Sequence, residues 1–323
     1  MTNEFLDRNL ALEAVRVTEV AALSSSLHMG RGNEKAADQS AVNAMREFLN
    51  NLAIDGTVII GEGERDKAPM LYIGEKVGMG GPKVDIALDP LEGTTITAHG
   101  GENALSVLAM AEENGFLHAP DIYMKKIAYG KKYEGLNIDP ESPADQIINN
   151  FSKYSELKIE NIVVCILDRP RHSQLIKTVR STGARIKLIP DGDVSAVIAT
   201  SIDNSGVDIY MGTGGSPEGV LAAAALRCIG GKMYTKLVFD NNEQIERSKT
   251  MGISDSKKIY EINDLASGDV MFSATGVTDG TFLNGVLIKN ETATTHSVVM
   301  RSKSKTIRYV SATHDLTIKK IIT

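Results

Sequence analysis

The sequence predicts a layered α/β or α+β fold, because helical and strand patterns interleave along the chain without a strict βαβ rhythm. Apolar residues recur at helical spacing through residues 4–27 and again through 38–52. Short apolar runs, the first at 57–60, end at glycine or polar residues and are typical of strands. A chain of 323 residues can form one large domain or two lobes.

Strand and helix patterns continue in order after the first strand. The remaining strands are predicted at 83–88, 104–111, 162–167, 186–189, 207–211 and 270–273. The remaining helices are predicted at 143–153, 173–182, 194–201 and 217–229, with a mixed segment near 256–266. Alternating residues at 297–301 and 306–310 predict late antiparallel strands. The polar stretch 131–160 is the best candidate for a boundary, so we expect an N-terminal lobe of residues 1–155 and a C-terminal lobe of residues 156–323.

The composition argues against nucleic-acid binding, membrane insertion and a disulfide framework. The net charge is −6 with scattered basic residues, and aromatic residues make up only 5% with no Trp, so we expect no nucleic-acid partner. No apolar stretch approaches the roughly 18 residues of a membrane span, and the charged N-terminal segment has no signal-peptide core, so we expect no membrane partner. Cys165 and Cys228 lie in apolar segments and are predicted to be core residues. We therefore expect a cytoplasmic protein.

The motifs of several other enzyme classes are absent from the sequence. The chain contains no GxxxxGK[ST] phosphate loop, no GxGxxG after a strand, no HExxH pair and no GxSxG elbow. These absences disfavour nucleotide-binding folds, zinc hydrolases and serine hydrolases.

A turn with two carboxylates follows the predicted strand 83–88. Asp89 stands at the end of that strand, Pro90 removes a backbone donor and is expected to end the ladder, and Glu92 projects from the turn. Gly93 then relaxes the backbone, and Thr94 is expected to be the N-cap of the next helix. Two carboxylates on one tight turn suit a hard cation such as Mg²⁺ or Mn²⁺, although an ordinary acidic surface turn explains this spacing equally well.

Two further glycine-flanked carboxylates favour the metal interpretation. Glu62 follows the predicted strand 57–60 within the sequence GEGE, although a solvated hairpin loop would look similar. Glu218 lies within GTGGSPEG, where Ser216 is the expected N-cap and Pro217 the expected first helical residue. Complementing the helix dipole is the alternative role of Glu218, but four glycines exceed what capping requires. Carboxylates that meet from three strand ends need cations between them, which favours metal-assisted phosphoryl transfer.

These residues resemble a known group of metal phosphatases. The sequence DPLEGT at 89–94 resembles the D-P-x-[DE]-G-[ST] signature of the lithium-sensitive, inositol-monophosphatase-like phosphatases. Within that superfamily the chain resembles the class II fructose-1,6-bisphosphatases nearly from end to end. The matching segments lie at 30–32 (GRG), 37–38 (AD), 41–45 (AVNAM), 60–64 (IGEGE), 68–78 (APMLYIGEKVG), 119–121 (APD), 170–172 (PRH), 189–194 (IPDGDV), 214–219 (GGSPEG) and 272–276 (FSATG).

The resemblance implies a five-layer α-β-α-β-α sugar-phosphatase fold and hydrolysis of the 1-phosphate of fructose 1,6-bisphosphate, a step of gluconeogenesis. It also implies two or more Mn²⁺ or Mg²⁺ ions per active site, and hard oxygen ligands do not distinguish these two metals. The implied metal ligands are Asp38 and Glu62 for one ion, and Asp89, Glu92 and Glu218 for another. Thr94 is implied to orient the nucleophilic water together with a carboxylate, for which Asp38 and Asp66 are both candidates.

The resemblance also implies the residues that bind the substrate. They are Glu92, Gly93, Thr94, Tyr123, Arg169, Pro170, Arg171, Asp191, Gly192, Asp193 and Gly215. Arg169 and Arg171 follow a predicted buried strand and suit the distal phosphate through bidentate hydrogen bonds. Asp191 and Asp193 suit sugar hydroxyls, although a plain turn with an N-cap explains them equally well. The N-terminal lobe would thus carry most metal ligands, and the C-terminal lobe the sugar and distal-phosphate contacts with the last metal ligand.

Three other functions remain alternatives from the sequence. Sedoheptulose 1,7-bisphosphate presents a nearly equivalent end, so a sedoheptulose-1,7-bisphosphatase is the nearest alternative. Another sugar or inositol phosphatase fits less well, because the pair of Arg169 and Arg171 suggests a second phosphate. A non-catalytic sugar-phosphate sensor belongs to a different class, and the number of carboxylates beside a phosphate site argues against it. A homo-oligomer, either a dimer or a tetramer, is the expectation for an enzyme of this kind.

Overall fold

Helices and strands interleave along the chain, as the sequence predicts. A computed structural model describes residues 4–63, 70–319 and 321, with side chains described from residue 10 onward within these ranges. Its helices are α1 (Glu4–Ser26), α2 (Glu34–Leu49), α3 (Thr94–His99), α4 (Ala144–Ser155), α5 (Ser173–Ser181), α6 (Asp193–Ala199), α7 (Ser216–Ile229), α8 (Asn242–Thr250) and α9 (Ile262–Leu265). Its strands are β1 (Asp55–Ile60), β2 (Lys76–Val77), β3 (Lys83–Glu92), β4 (Leu105–Glu112), β5 (Tyr123–Tyr129), β6 (Val163–Leu167), β7 (Arg185–Ile189), β8 (Ile209–Gly215), β9 (Lys232–Val238), β10 (Ile259–Glu261), β11 (Val270–Gly276), β12 (Leu287–Lys289), β13 (Thr292–Arg301) and β14 (Thr306–Asp315). The predicted mixed α/β class is confirmed.

The chain forms two compact units that do not coincide with the predicted lobes. Unit 1 comprises Met1–Leu117 and Ala266–Thr323, and unit 2 comprises His118–Leu265. Residues 118–155, assigned from the sequence to the N-terminal lobe, belong to unit 2, where β5 pairs with β8 and β9. The chain returns to unit 1 because β11 pairs antiparallel with β4. Pairing between strands that are distant in sequence therefore sets the division, and the position 155/156 does not separate the units.

Unit 1 is built on an eight-stranded sheet in the order β12-β13-β11-β4-β3-β1-β2, with β14 paired to β13. β1 and β3 are parallel, and β4 is antiparallel to both β3 and β11. Helices α1 and α2 share a core with this sheet that includes Val17, Met45 and Ile86. Buried hydroxyl groups also join α1 to β11, since Thr18 Oγ1 lies 2.8 Å from Thr275 Oγ1. Leu91 belongs to the same core, so this packing also holds the end of β3, where the acidic turn lies.

Unit 2 is built on a six-stranded sheet in the order β10-β9-β5-β8-β6-β7. Strand β6 runs parallel to β7 and β8, whereas β5 is antiparallel to β8 and β9. The core of this unit includes Ile127, Tyr129 and Phe151, and the last two rings meet edge to face with centroids 6.2 Å apart. Strand β8 ends at Gly215 and α7 begins at the next residue, so the glycine-rich segment forms the junction between them.

Pro90 does not end its strand, in contrast to the sequence prediction. Strand β3 continues through Pro90 to Glu92, and its register with β4 shifts between Asp89 and Glu92. A bulge of this kind leaves a residue outside the ladder, so the missing N–H of Pro90 does not interrupt the strand.

The two cysteines and the helices agree with an ordinary globular interior. Cys165 and Cys228 are buried and free, as predicted. No helix within the described ranges is both long and apolar enough to cross a bilayer.

Candidate active site

The acidic turn of unit 1 is shaped by the bulge in β3. Asp89 is half-buried, and its Oδ1 accepts a hydrogen bond from the Leu91 N–H over 3.0 Å. Glu92 re-enters the ladder opposite Leu105 and is only 4% exposed. The bulge therefore presents two carboxylates from one short stretch of backbone, one of them almost fully buried.

Gly93 turns the chain from β3 into α3. It is the N-cap of α3, with a φ of 95° that L-residues rarely adopt. Thr94 is therefore the first helical residue and not the N-cap that the sequence predicted, because the left-handed turn falls one residue earlier. At the other end of α3, the Gly30 N–H donates to Thr97 O over 2.9 Å. The GRG loop, which was part of the family resemblance, is thus fixed to this helix.

Asp38 and Glu62 lie on two other elements of unit 1. Asp38 is a half-buried residue of α2, and desolvation raises the pKa of its carboxyl group above the usual value. Glu62 lies in the turn after β1, where its N–H donates to Leu71 O over 3.0 Å. A Cβ on the preceding Gly61 would overlap that same carbonyl, so glycine is required there. Asp66, the other candidate partner of Thr94, lies outside the described residues.

Glu218 is the acidic residue of unit 2 that the sequence singled out. It stands in the first turn of α7, whose N-cap is Gly215, so Ser216 is a helical residue and not the predicted cap. The Ser216 hydroxyl donates instead to Pro120 O. The Oε2 atom of Glu218 is enclosed and has no hydrogen-bond partner among the described residues. A Cβ at Gly215 would overlap Glu218 Oε2, so the glycine provides the space that this carboxylate occupies.

The protonation of Glu218 depends on its buried neighbours. The pKa of Glu218 is raised to about 7: burial raises it most, the nearby Asp193 carboxylate adds to this effect, and the Lys126 ammonium opposes both. A bound cation would favour the ionised form of such a group, because opposite charge lowers the pKa of a carboxyl group. Glu218 therefore fits a metal ligand better than it fits a surface residue that complements the helix dipole.

A buried ion pair lies beside Glu218. Lys126 Nζ is 2.5 Å from Asp193 Oδ2, and the Tyr210 hydroxyl donates to the same oxygen over 3.4 Å. Asp193 follows Gly192, the left-handed N-cap of α6 with a φ of 84°. The sequence predicted Asp193 as an acceptor for sugar hydroxyls, whereas in the structure its carboxylate is buried and engaged by Lys126.

The arginine pair lies after β6, as predicted, and each arginine has its own support. The Arg171 Nε–H donates to Thr213 O over 2.9 Å, and its guanidinium lies 4.6 Å from the centroid of the Tyr123 ring. Arg169 Nη2 lies 4.0 Å from Asp191 Oδ1. Unit 2 thus brings Tyr123 together with Arg171, and Arg169 together with Asp191, from positions that are distant in sequence. Pro170, between the two arginines, begins a short 3-10 turn.

Sequence reasoning missed three polar residues of this region. Lys126, Tyr210 and His172 are all buried. Lys126 and Tyr210 each bond to Asp193, and His172 bonds to the backbone of Leu167 and Thr213. The sequence did contain a signal for the burial of Lys126, because it alternates with Met124 and Ala128 on one face of β5. Within the described ranges, no three His, Cys, Asp or Glu side chains are grouped so that they could hold an ion, so the full ligand set stays a prediction.

Similarity to known proteins extends over nearly all of the chain. The profile of a family described as bacterial fructose-1,6-bisphosphatase, glpX-encoded, matches residues 8–314. The chain belongs to this family. The resemblance inferred from the motifs is therefore confirmed.

Two members of this family illustrate the level of identity. The chain is 45% identical over 324 residues to the fructose-1,6-bisphosphatase 1 class 2 of Escherichia coli K12, with 96% of each chain covered. It is 41% identical over 335 residues to a protein of Trichodesmium erythraeum named D-fructose 1,6-bisphosphatase class 2/sedoheptulose 1,7-bisphosphatase, with 96% of this chain and 97% of the relative covered. A solved IMPase structure from Thermotoga maritima aligns with 79% of this chain and 90% of its own at 12% identity, with a TM-score of only 0.35.

Proposed function

We propose that this protein hydrolyses the 1-phosphate of fructose 1,6-bisphosphate, giving fructose 6-phosphate and inorganic phosphate. The observation that carries the proposal is the family match over residues 8–314, a range that contains each motif segment of the acidic turns and the arginine pair. The reaction would be a step of gluconeogenesis in the cytoplasm. We expect the protein to be a homo-oligomer, either a dimer or a tetramer.

The proposed metal ligands are carboxylates, as a hard divalent cation requires. They are Asp38, Glu62, Asp89, Glu92 and Glu218. Among them, Glu218 supports the assignment most directly, because its Oε2 is enclosed with no hydrogen-bond partner among the described residues. Two or more Mn²⁺ or Mg²⁺ ions bound by such a set supply charge neutralisation at the phosphoryl group and a water of lowered pKa.

Thr94 would orient the attacking water, and a carboxylate would accept its proton. A threonine hydroxyl is a poor base, so its part is to orient the water and to pass a proton on. Asp38 and Asp66 are the two candidates for the accepting carboxylate. Desolvation raises the pKa of Asp38, and a raised pKa makes a carboxylate a better proton acceptor.

A further set of residues is proposed to bind the distal phosphate and the sugar. Arg171, supported by Tyr123, and Arg169 would grip the phosphate that is not cleaved. Pro170 and Gly192 shape the backbone at these positions, and Asp191 offers a carboxylate to sugar hydroxyls. The other proposed contacts are Glu92, Gly93, Asp193 and Gly215.

Phosphate release from fructose 1,6-bisphosphate tests the proposal. We expect turnover with Mn²⁺ or Mg²⁺, none above background with excess chelator, and none with the Glu218→Gln variant. Turnover that survives chelation and Glu218→Gln would contradict the metal-dependent mechanism, and no turnover under any condition would favour a non-catalytic sugar-phosphate sensor.

Sedoheptulose 1,7-bisphosphate is a second candidate substrate. The Trichodesmium relative, 41% identical to this chain, carries both activities in its name. Parallel assays on the two bisphosphates give the ratio of their kcat/KM values, which measures the preference directly.

A further inference from the structure

The imidazole of His172 lies in a gap between two strands of unit 2. Strands β6 and β8 run parallel and pair only through Val164↔Ile209 and Cys165↔Tyr210. Beyond these pairs, His172 Nδ1 lies 2.7 Å from the carbonyl oxygen of Leu167, which is the last residue of β6. The Thr213 N–H of β8 donates to His172 Nε2 over 2.8 Å. The side chain thus joins two strand ends that no longer bond to each other directly.

These two hydrogen bonds define the tautomer of His172. A backbone N–H can only donate, so Nε2 must accept from Thr213 and carry no proton. The ring proton therefore resides on Nδ1 and is donated to Leu167 O. The imidazole is only 3% exposed, and burial lowers the pKa of His172, which agrees with a neutral ring.

The peptide group of Thr213 connects His172 to Arg171. Its N–H is held by the imidazole, and its carbonyl accepts from Arg171 Nε over 2.9 Å. One face of the guanidinium lies over the Tyr123 ring. Because Nε and this face are in use, the fork of Nη1 and Nη2 is the part of Arg171 left to bind an anion.

The packing around the ring leaves little freedom for this arrangement. A Cβ added at Gly212 would lie 3.3 Å from His172 Cε1 and 3.4 Å from Nε2. Such distances are tight enough that a larger residue would press directly on the ring. The glycine before Thr213 therefore lets β8 approach the imidazole closely.

We propose that His172 is a positioning residue for phosphate-ester binding. As a neutral, Nδ1-protonated imidazole it fixes the Thr213 peptide, and this peptide orients Arg171 toward the phosphate of the substrate that is not cleaved. The inference rests on the proposed function. It assigns to His172 the task of holding Arg171 in place before the substrate binds. A guanidinium without such support would lose rotamer freedom on binding, which costs affinity.

Three variants of His172 separate hydrogen bonding from packing. His172→Phe keeps a ring but loses both hydrogen bonds. His172→Gln can place its amide oxygen near the position of Nε2 and accept from Thr213, whereas the shorter His172→Asn reaches only the position of Nδ1. We expect KM for fructose 1,6-bisphosphate to rise about tenfold in the Phe and Asn variants and to stay near wild type in the Gln variant, with kcat within about twofold throughout.

A binding measurement without turnover keeps this proposal distinct from the proposed function. The dissociation constant of fructose 6-phosphate, measured by calorimetry on wild type and variants, should follow the same order. If wild type binds fructose 6-phosphate without hydrolysing the bisphosphate, the proposed function fails and the order of the variants still decides the role of His172. No binding of fructose 6-phosphate to wild type would overturn the positioning role of His172, while phosphate release from the bisphosphate would still decide the proposed function.

Two further outcomes would overturn the positioning role alone. The first is equal affinity in the Phe, Asn and Gln variants, which would show that the hydrogen bond to Thr213 does not matter. The second is a fall in kcat and in thermal stability at unchanged KM, which would indicate a purely structural residue. If the Phe variant does not fold, the comparison of the Gln and Asn variants still decides the question. Both carry the same amide group, and only the Gln side chain reaches the position of Nε2.

Discussion

Lys126 Nζ lies 2.5 Å from Asp193 Oδ2 in the interior of unit 2, where the two side chains are 0% and 6% exposed. The ion pair joins β5 to the start of α6, and Glu218 is close enough to respond to both charges. A buried pair contributes little net stability, but removal of one partner leaves an uncompensated charge. Lys126 thus belongs to the electrostatics of the proposed metal ligand Glu218 although it is not itself a candidate ligand.

Replacing Lys126 by methionine should destabilise the protein strongly. The Asp193 carboxylate would remain buried without its partner, at a cost of about 3–5 kcal/mol. The double variant Lys126→Met with Asp193→Asn should recover part of this loss, because no unpaired charge then remains. Urea unfolding monitored by circular dichroism measures both values. A loss below about 1 kcal/mol in the single variant would contradict the expectation that Asp193 is left as an uncompensated buried charge.

Glu218→Gln should separate activity from stability. Without metal, Oε2 of the wild-type carboxylate is enclosed with no hydrogen-bond partner among the described residues, and the neutral amide avoids the cost of burying a charge. We therefore expect the variant to be more stable than wild type in chelator by roughly 1–3 kcal/mol, while its turnover is abolished. Thermal melts in chelator and with Mn²⁺ measure this: added metal should raise the melting temperature of wild type far more than that of the variant. Equal stabilisation of both proteins by metal would argue against Glu218 as a ligand.

Stability should fall between pH 6.5 and about 4 because of His314. Burial, together with the nearby Lys319 ammonium, lowers the pKa of this imidazole from 6.5 to about 4, and its Nε2 lies 2.8 Å from the Thr295 hydroxyl. In this window the unfolded chain binds a proton that the folded protein does not, so unfolding becomes easier as the pH decreases. The contribution is roughly 1–2 kcal/mol once solvent screening is allowed for.

The control for this pH effect is His314→Gln, which keeps a polar group near Thr295 but does not titrate. Glu19, whose Oε1 accepts from Thr295, has a pKa raised by burial and titrates in the opposite sense. The difference between wild type and variant removes the contribution of Glu19. Parallel stability curves for the two proteins from pH 7 to pH 4 would rule out His314 as the cause.

Thr94→Ala should affect catalysis much more than binding. Loss of the water-orienting hydroxyl is expected to lower kcat about 10²-fold or more, with little change in the dissociation constant of fructose 6-phosphate. Thr94→Ser retains the hydroxyl and is the matched control. Steady-state kinetics of both variants give the comparison, and full kcat in the alanine variant would refute the proposed role of Thr94.

The fold could be read from the sequence where pattern and pairing agree. The helical and strand periods of α1, α2, β1 and β6 predicted those elements closely, because each buries one face or both faces in a core. Strand β5 was missed because Lys125 and Lys126 are adjacent and charged residues usually mark a surface. In the structure only Lys126 is fully buried, and its charge is balanced by Asp193.

The candidate site was predictable as a set of residue types but not as a set of contacts. The carboxylates Glu62, Asp89 and Glu218 were recognisable as candidates because they follow strand patterns, and carboxylates at strand ends suit a cation. The predicted N-cap positions were wrong by one residue at Thr94 and Ser216, since the preceding glycine occupies the N-cap in each case. The link from His172 through Thr213 to Arg171 involves backbone atoms on a distant strand, which no local pattern reveals.

Product analysis during metal-dependent turnover tests the central claim most directly. Fructose 6-phosphate, measured with an isomerase-coupled dehydrogenase assay, and total phosphate are followed together as fructose 1,6-bisphosphate is consumed. Hydrolysis at the 1-position predicts one equivalent of fructose 6-phosphate for each phosphate released, and no release in excess chelator. Phosphate released without fructose 6-phosphate would show that the other ester is cleaved, and would contradict the assignment of Arg169 and Arg171 to the phosphate that remains.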